Sequence, residues 1–309
     1  MAPVPIAVPS NGQTDRAELA KRAVPHMVLS NGSPQSMTAP PTSTLHCDPA
    51  QSATERFTVS GNAVVTGGTG TLGLAACHAL LEHGLSGLAI FDIDTAHSEA
   101  QASGLKQRFP THKIVVLQVD VTDDAAVSDA VEQASMLVGP LNHLFCFSGI
   151  VGCVDAVSIT SAQWRRVLDV NTTGAFFCAQ AVARKMIEQK TGGSITFTAS
   201  ISAHRVNYPQ PQAAYNVSKA ALITLKNCLA AEWAVHGIRT NTISPGNMDT
   251  ILNEGDGLAG TRSVWAERNP TGRMGVPSEL TGAVVLLASA AGSYINGTDI
   301  VVDGGGVVF

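Results

Sequence analysis

The chain has 309 residues, of which 45% are hydrophobic, 14% charged and 5% aromatic, with 29 glycines. That length buries a sizeable core in one large α/β domain or two smaller ones, and the small, aliphatic composition suits a parallel sheet covered on both faces. A net charge of -5 gives no basic field for a nucleic acid, and no run of about 18 apolar residues exists to span a membrane. Six scattered cysteines without a CxxC pair argue against a disulfide framework or a zinc site and for a reducing compartment. Nine histidines lack metal-ligand spacing, so no metal is expected.

Residues 1–56 hold eight of the fifteen prolines, many Ser, Thr, Gln and Asn, and no sustained periodicity; they read as a disordered tail. The tail has no apolar signal-peptide core. Its bases Arg16, Lys21, Arg22 and Arg56 are matched by Asp15, Glu18, Asp48 and Glu55, unlike a basic transit peptide. A cytoplasmic location is therefore expected, with a mitochondrial one if the tail is a targeting segment.

From Phe57 to Phe309 short apolar runs alternate with helical patterns. Asn62–Thr66 reads as a buried strand, Thr71–His83 as a helix, and Leu88–Phe91 and Lys113–Val119 as strands. Ala125–Val138 is helical, Leu141–Phe147 and Ser194–Thr198 are strands, and Ala213–His236 is a long helical stretch. Ile238–Ile243 and Ile300–Asp303 close the series as strands. This alternation predicts one α/β domain: a single Rossmann-like, doubly wound parallel sheet with helices on both faces.

The glycine-rich turn Thr66-Gly67-Gly68-Thr69-Gly70-Thr71-Leu72-Gly73 lies between the first strand and first helix. Such a turn lets backbone N–H groups and a helix N-terminus meet a pyrophosphate, although an ordinary strand-to-helix loop can look alike. Asp92 follows the second strand, 19 residues after Gly73, where a carboxylate accepts from ribose hydroxyls and repels a 2′-phosphate. NAD is thus expected over NADP, with Asp94 a competitor for the role. Asp120 could receive an adenine amino group or cap a helix. Tyr215 and Lys219 stand four residues apart, on one helix face. A nearby ammonium is expected to lower the phenol's pKa and make it an acid/base partner for an alcohol.

Together these motifs resemble the short-chain dehydrogenase/reductase family of the single-domain type. The resemblance rests on the TGxxxGxG-like turn, Asp92, Asp120, the NxxG of Asn171–Gly174, a serine after the fifth strand, YxxxK, Pro245-Gly246 with Thr250, and the closing Val301–Gly305. It implies a nicotinamide cofactor and a catalytic Asn171, Ser200, Tyr215 and Lys219. Tyr215 would be the acid/base. Lys219 would hold the ribose and lower the phenol's pKa, and Asn171 would position a relay water behind it. The serine would orient the substrate oxygen. Counting thirteen residues back from Tyr215 lands on Ser202, whereas aligning the strand end selects Ser200. Implied cofactor contacts are Gly67, Thr69, Gly70, Leu72, Gly73, Asp92, Asp120, Val121, Ser148, Gly149, Tyr215, Lys219, Pro245, Gly246, Met248 through its backbone, and Thr250. A homo-oligomer, tetramer or dimer, is also implied.

Two positions depart from the family pattern. Thr71 replaces the middle glycine of the turn, and Cys146-Phe147-Ser148-Gly149 replaces the usual NNAG. The serine region and Ser244–Thr250 resemble fungal mannitol, sorbose and arabinitol dehydrogenases, implying a small alcohol or ketone substrate of the polyol/ketose type. Residues Glu254–Arg268 would form a lid, with Asn207, Asn247, Asn253 and Trp265 facing the pocket. The alternatives are an NADPH-dependent tailoring ketone reductase and a non-catalytic dinucleotide sensor.

Overall fold

The computed structural model describes residues 25–40, 49–253 and 256–308. Seven strands form one parallel sheet: β1 (Asn62–Thr66), β2 (Gly87–Asp92), β3 (Lys113–Gln118), β4 (Leu141–Cys146), β5 (Gly193–Thr198), β6 (Ile238–Pro245) and β7 (Asp299–Val302). Their order is β3-β2-β1-β4-β5-β6-β7, as a doubly wound sheet requires. The strands are buried because helices cover both faces. Helices α2 (Thr71–Glu82), α3 (Thr95–Arg108) and α9 (Thr281–Ala288) pack on one face, with Leu80, Leu105 and Val284 in its core. Helices α4 (Asp124–Val138), α6 (Ala175–Gln189) and α7 (Ala213–Trp233) pack on the other, around Val131, Val182 and Leu222. Phe91, Phe145 and Phe197, from three strands, are fully buried; each contributes roughly 1.5–3 kcal/mol.

Helix starts follow local chemistry. Asp94 caps α3 by accepting from His97 N, and Asp123 caps α4 by accepting from Ala125 N and Ala126 N. Thr160 and Gln163 form a capping box for α5 (Ser161–Leu168). Helix α2 has no side-chain cap, since Gly70 occupies that place. Between α5 and α6 the chain takes a wide π-helical turn, Asp169–Gly174.

Helices α3, α5, α6, α8 (Ala259–Glu267) and α9 were not evident as patterns. The buried face of α3 is only Ser98, Ala102 and Leu105, and α9 is nearly all apolar, so neither shows clean amphipathic contrast.

The expectation of a patternless tail does not extend to Pro49–Arg56, which is helix α1. Residues 1–24 and 41–48 lie outside the described residues. Within 25–40, Met37 seats against two turns at the N-terminal end of the sheet. A methyl added at Gly237 would lie 3.0 Å from the Met37 carbonyl oxygen, and one at Gly192 would lie 3.4 Å from Met37 Cε. Both glycines have positive φ, 69° and 62°, so they suit the turn as well as the contact.

On β4, His143 is 5% exposed, and its Nε2 donates to Ser60 O at 2.8 Å. Burial, against the bond to Ser60 and with help from Arg239, pulls its pKa from 6.5 to about 4. The unfolded chain therefore takes up this proton first. The neutral ring's contribution is complete above pH 6.5 and is lost as the pH falls toward 4. His143→Gln, which keeps a donor but cannot titrate, should flatten this limb by up to about 3 kcal/mol, read from denaturant midpoints across that range.

Candidate active site

The strand order reverses direction between β1 and β4, and the carboxyl ends of the strands open there into a groove of about 1020 Å³. Its floor at one end is the glycine turn. Gly67 has φ 62°, and a methyl there would lie 2.7 Å from Ser148 N, so the turns after β1 and β4 touch directly. A methyl on Gly73 would stand 2.2 Å from Gly67 O, which makes Gly73 the residue that lets α2 close onto the turn. Thr71 is the first residue of α2 and lines the groove, so the departure at this position costs no backbone contact. Gly70, Thr71, Leu72 and Gly73 present an uncapped helix N-terminus to the groove. Free N–H groups and the helix dipole fit a pyrophosphate there.

Asp92 Oδ2 accepts from Thr69 Oγ1 at 2.8 Å, and the same hydroxyl lies 2.9 Å from Ser98 Oγ. Asp92 is thereby fixed at the turn, while Asp94 is spent on capping α3. Asp120 accepts from Thr122 N and Thr122 Oγ1, which holds its carboxyl below the usual range; the cap of α4 is Asp123. Val121 is buried against Gly174, leaving only its backbone for a ligand. Ser148 N donates to Thr66 Oγ1 at 3.3 Å; Asp92, Asp120, Val121 and Ser148 border the glycine turn and the strand ends without being among the residues that line the groove. Cys146 is buried at the end of β4, where burial and the neighbouring Cys178 push its thiol up.

At the other end, Ser200, Tyr215 and Lys219 line the groove together. Ser202 lines it as well, and Ser200 Oγ donates to Ser202 Oγ at 3.0 Å. Lys219 Nζ donates to Thr198 O at 2.7 Å and lies 5.7 Å from the Tyr215 ring centre. Burial pushes the Tyr215 pKa above its ordinary value, against a smaller lowering from the Ser200 side chain. The desolvated ammonium gives way instead, and burial brings Lys219 from 10.5 down to about 8.

Asn171, 1% exposed on the π-helical turn, does not line the groove. Its Oδ1 accepts from Ile150 N at 2.8 Å, and its Nδ2 donates to Ile150 O at 2.9 Å and Ser218 Oγ at 3.0 Å. Pro245, Gly246, Met248 and Thr250 line the groove after β6. The Met248 side chain is buried on Gly275, and the two residues form a bridge, so what Met248 offers the groove is backbone.

Asn207, Asn247, Asn253 and Trp265 all line the substrate end. In the predicted lid, residues 254 and 255 lie outside the described residues. Arg262 ties α8 down through Asn253 O and Asp249 Oδ1, both at 2.8 Å. Gln212 and Cys153 were missed by sequence reasoning, yet both line the groove. Gln212 directly precedes α7, three residues before Tyr215, a place that could have drawn notice.

The family model described as Enoyl-(Acyl carrier protein) reductase matches residues 68–306. Galactitol 2-dehydrogenase of Rhizobium johnstonii is 38% identical over 255 residues, spanning 81% of this chain and 97% of the relative. NADP-dependent mannitol dehydrogenase of Hypocrea jecorina is 35% identical, spanning 81% of this chain and 93% of the relative. A crystal structure of a short-chain type dehydrogenase/reductase from Mycobacterium marinum superposes with TM-score 0.78 at 36% identity, covering 82% of this chain and 99% of that one.

A buried ammonium whose folded pKa lies below its unfolded one weighs against folding below pH 8 and ceases to do so as the pH climbs to 10.5. Lys219→Met should therefore stabilise the cofactor-free protein at pH 7, by about 1–2 kcal/mol after the lost bond to Thr198 is counted. Melting curves should show that gain shrinking between pH 8 and 10.5.

Proposed function

The chain belongs to the short-chain dehydrogenase/reductase family, and on that footing we propose that it interconverts a polyol and its ketose, with NAD as the preferred cofactor. The reaction class is oxidation of a secondary alcohol and reduction of the ketone. The observation that carries the reading is that Ser200, Tyr215 and Lys219 line one groove, with the Lys219 side chain buried and its Nζ 5.7 Å from the Tyr215 ring centre. The sugar-alcohol part rests on relatives named for galactitol and mannitol and on a groove end edged by Asn207, Gln210, Gln212, Asn247 and Asn253. Carboxamides both give and accept hydrogen bonds, as hydroxyls do.

When bound, the nicotinamide supplies the hydride acceptor or donor. The protein's own groups handle the proton and the orientation. Ser200 holds the substrate oxygen against Tyr215, and the phenol oxygen takes the hydroxyl proton in oxidation and returns it in reduction. The Lys219 ammonium, with its Nζ 5.7 Å from the Tyr215 ring centre, would favour the phenolate as the proton moves. A methyl on Gly149 would lie 3.2 Å from Asn171 Oδ1 and 3.6 Å from Lys219 Nζ. Gly149 thus brings its backbone close to both groups.

The NAD preference rests on Asp92, whose carboxylate, anchored by Thr69, would accept from ribose hydroxyls and repel a 2′-phosphate. His78, His97 and Gln101 line this end of the groove, and among the described residues neither Lys nor Arg joins them there.

Tyr215→Phe should lower kcat by about 10²–10⁴-fold while NADH binding, followed by fluorescence, stays near wild type. A variant that keeps its rate would sink the acid/base role. Initial rates with each cofactor at equal concentration should favour NAD over NADP, and Asp92→Ser should narrow the difference. A wild-type preference for NADP would remove the assignment of Asp92.

A further inference from the structure

Ser200 opens a short 3₁₀ turn, Ile201–Ala203, and His204 closes it by giving its N–H to Ile201 O at 3.0 Å. Two side chains far apart in sequence hold this turn. Asn216, beside Tyr215 on α7, donates from Nδ2 to Ser202 O at 2.7 Å and to Arg205 O at 2.8 Å. The second tie comes from the sheet. His204 is not among the residues that line the groove, and its Nε2 lies 2.9 Å from Oδ2 of Asp299, the first residue of β7. A carboxylate only accepts, so Nε2 carries the hydrogen.

Asp299 reaches the neighbouring rim as well. Its Oδ1 accepts from Thr242 Oγ1 at 2.6 Å, and Ser244 Oγ lies 2.9 Å and 3.0 Å from its two oxygens. Ser244 directly precedes Pro245 and Gly246, which line the groove after β6. One carboxylate, its side chain only 12% exposed, thus joins the turn of Ser200 to the turn of Pro245. The Lys226 ammonium is engaged elsewhere, donating to Gly297 O and Asn227 Oδ1.

We infer that His204 and Asp299 are positioning residues, whose bond clamps the Ser200 turn to the sheet and fixes where Ser200 meets the reacting oxygen. This rests on the reading of Ser200 as the group that orients the substrate.

The turn needs an outside anchor because it has few bonds of its own. Ala203 N donates to Ser200 O, and His204 N and Arg205 N share Ile201 O. So short a helical piece holds its shape poorly alone. Asn216 ties two of its carbonyls to α7, and the bond to β7 supplies a further fixed point. That point is firm, since Asp299 pairs with Thr242 in the ladder between β6 and β7. A displacement of about 1 Å at a reacting group costs about a hundredfold in rate. The bond asks for a donor at the reach of Nε2 and not for a charge, because Nε2 keeps its hydrogen whether or not the ring is protonated.

Two amides make the test. His204→Gln carries an N–H about as far as Nε2, whereas the shorter His204→Asn stops before Asp299. In oxidation of galactitol and mannitol with NAD, His204→Asn should lose about tenfold to a hundredfold in kcat, with KM and NADH affinity within about twofold of wild type. His204→Gln should recover most of that loss. With mannitol deuterated on its secondary carbons, the isotope effect on kcat should rise in His204→Asn and return in His204→Gln, since the loss falls on the chemical step. Amide hydrogen exchange, which needs no turnover, should quicken over residues 201–205 in His204→Asn alone. Wild-type exchange or wild-type kcat in His204→Asn overturns the inference, and so do equal losses in both variants, which would mean that ring packing matters and the bond does not. If neither sugar alcohol is oxidised by wild type, the polyol reading falls, and the exchange comparison still decides the clamp.

Discussion

Three bonds from one carboxamide decide where the reacting groups stand. The Asn171 amide grips both the N–H and the carbonyl of Ile150 and reaches Ser218 on α7, the helix that also carries Tyr215 and Lys219. Thr172 adds a fourth tie, its Oγ1 donating to Ser218 O at 3.0 Å. The loop after β4 and the start of α7 are thereby fixed to one turn. That turn is π-helical, and the wider spacing re-aims one residue relative to the helices on either side. Deleting the amide would leave the part-buried N–H and carbonyl of Ile150 without these partners.

The site is also electrically lopsided. Among the described residues, Lys219 is buried without an ion-pair partner and is steadied by the carbonyl of Thr198. A bare ammonium in low dielectric is costly, and the shift of its pKa measures that cost. The two apolar layers offset it. Chemistry and stability therefore pull this position in opposite directions, as expected where a charge is held ready for a reaction.

Much of this was legible in the sequence, for physical reasons. Buried parallel strands are apolar runs, so all seven strands, the alternation and the order of motifs could be read directly. The approach of Tyr215 to Lys219 is a matter of helix geometry and needs no tertiary information. What could not be read depended on packing. Small buried residues on α3 gave no stripe. Ser200 and Ser202 both reach the groove and touch each other, so their spacing along the chain did not tell them apart. The rise that burial gives the Tyr215 pKa depends on how the phenol is packed, whereas the sequence displays only the charge one helical turn away. Cys153 and Gln212 became part of the groove only through the path of the loops between them.

The Met37 contact has a topological consequence. Gly192 and Gly237 sit where β5 and β6 begin, whereas Ser200 and Pro245 sit where those strands end. Six residues of strand separate the two levels, roughly 20 Å of rigid sheet. Met37 therefore touches the sheet at the pole opposite the groove, with six residues of β5 between that contact and the reacting groups.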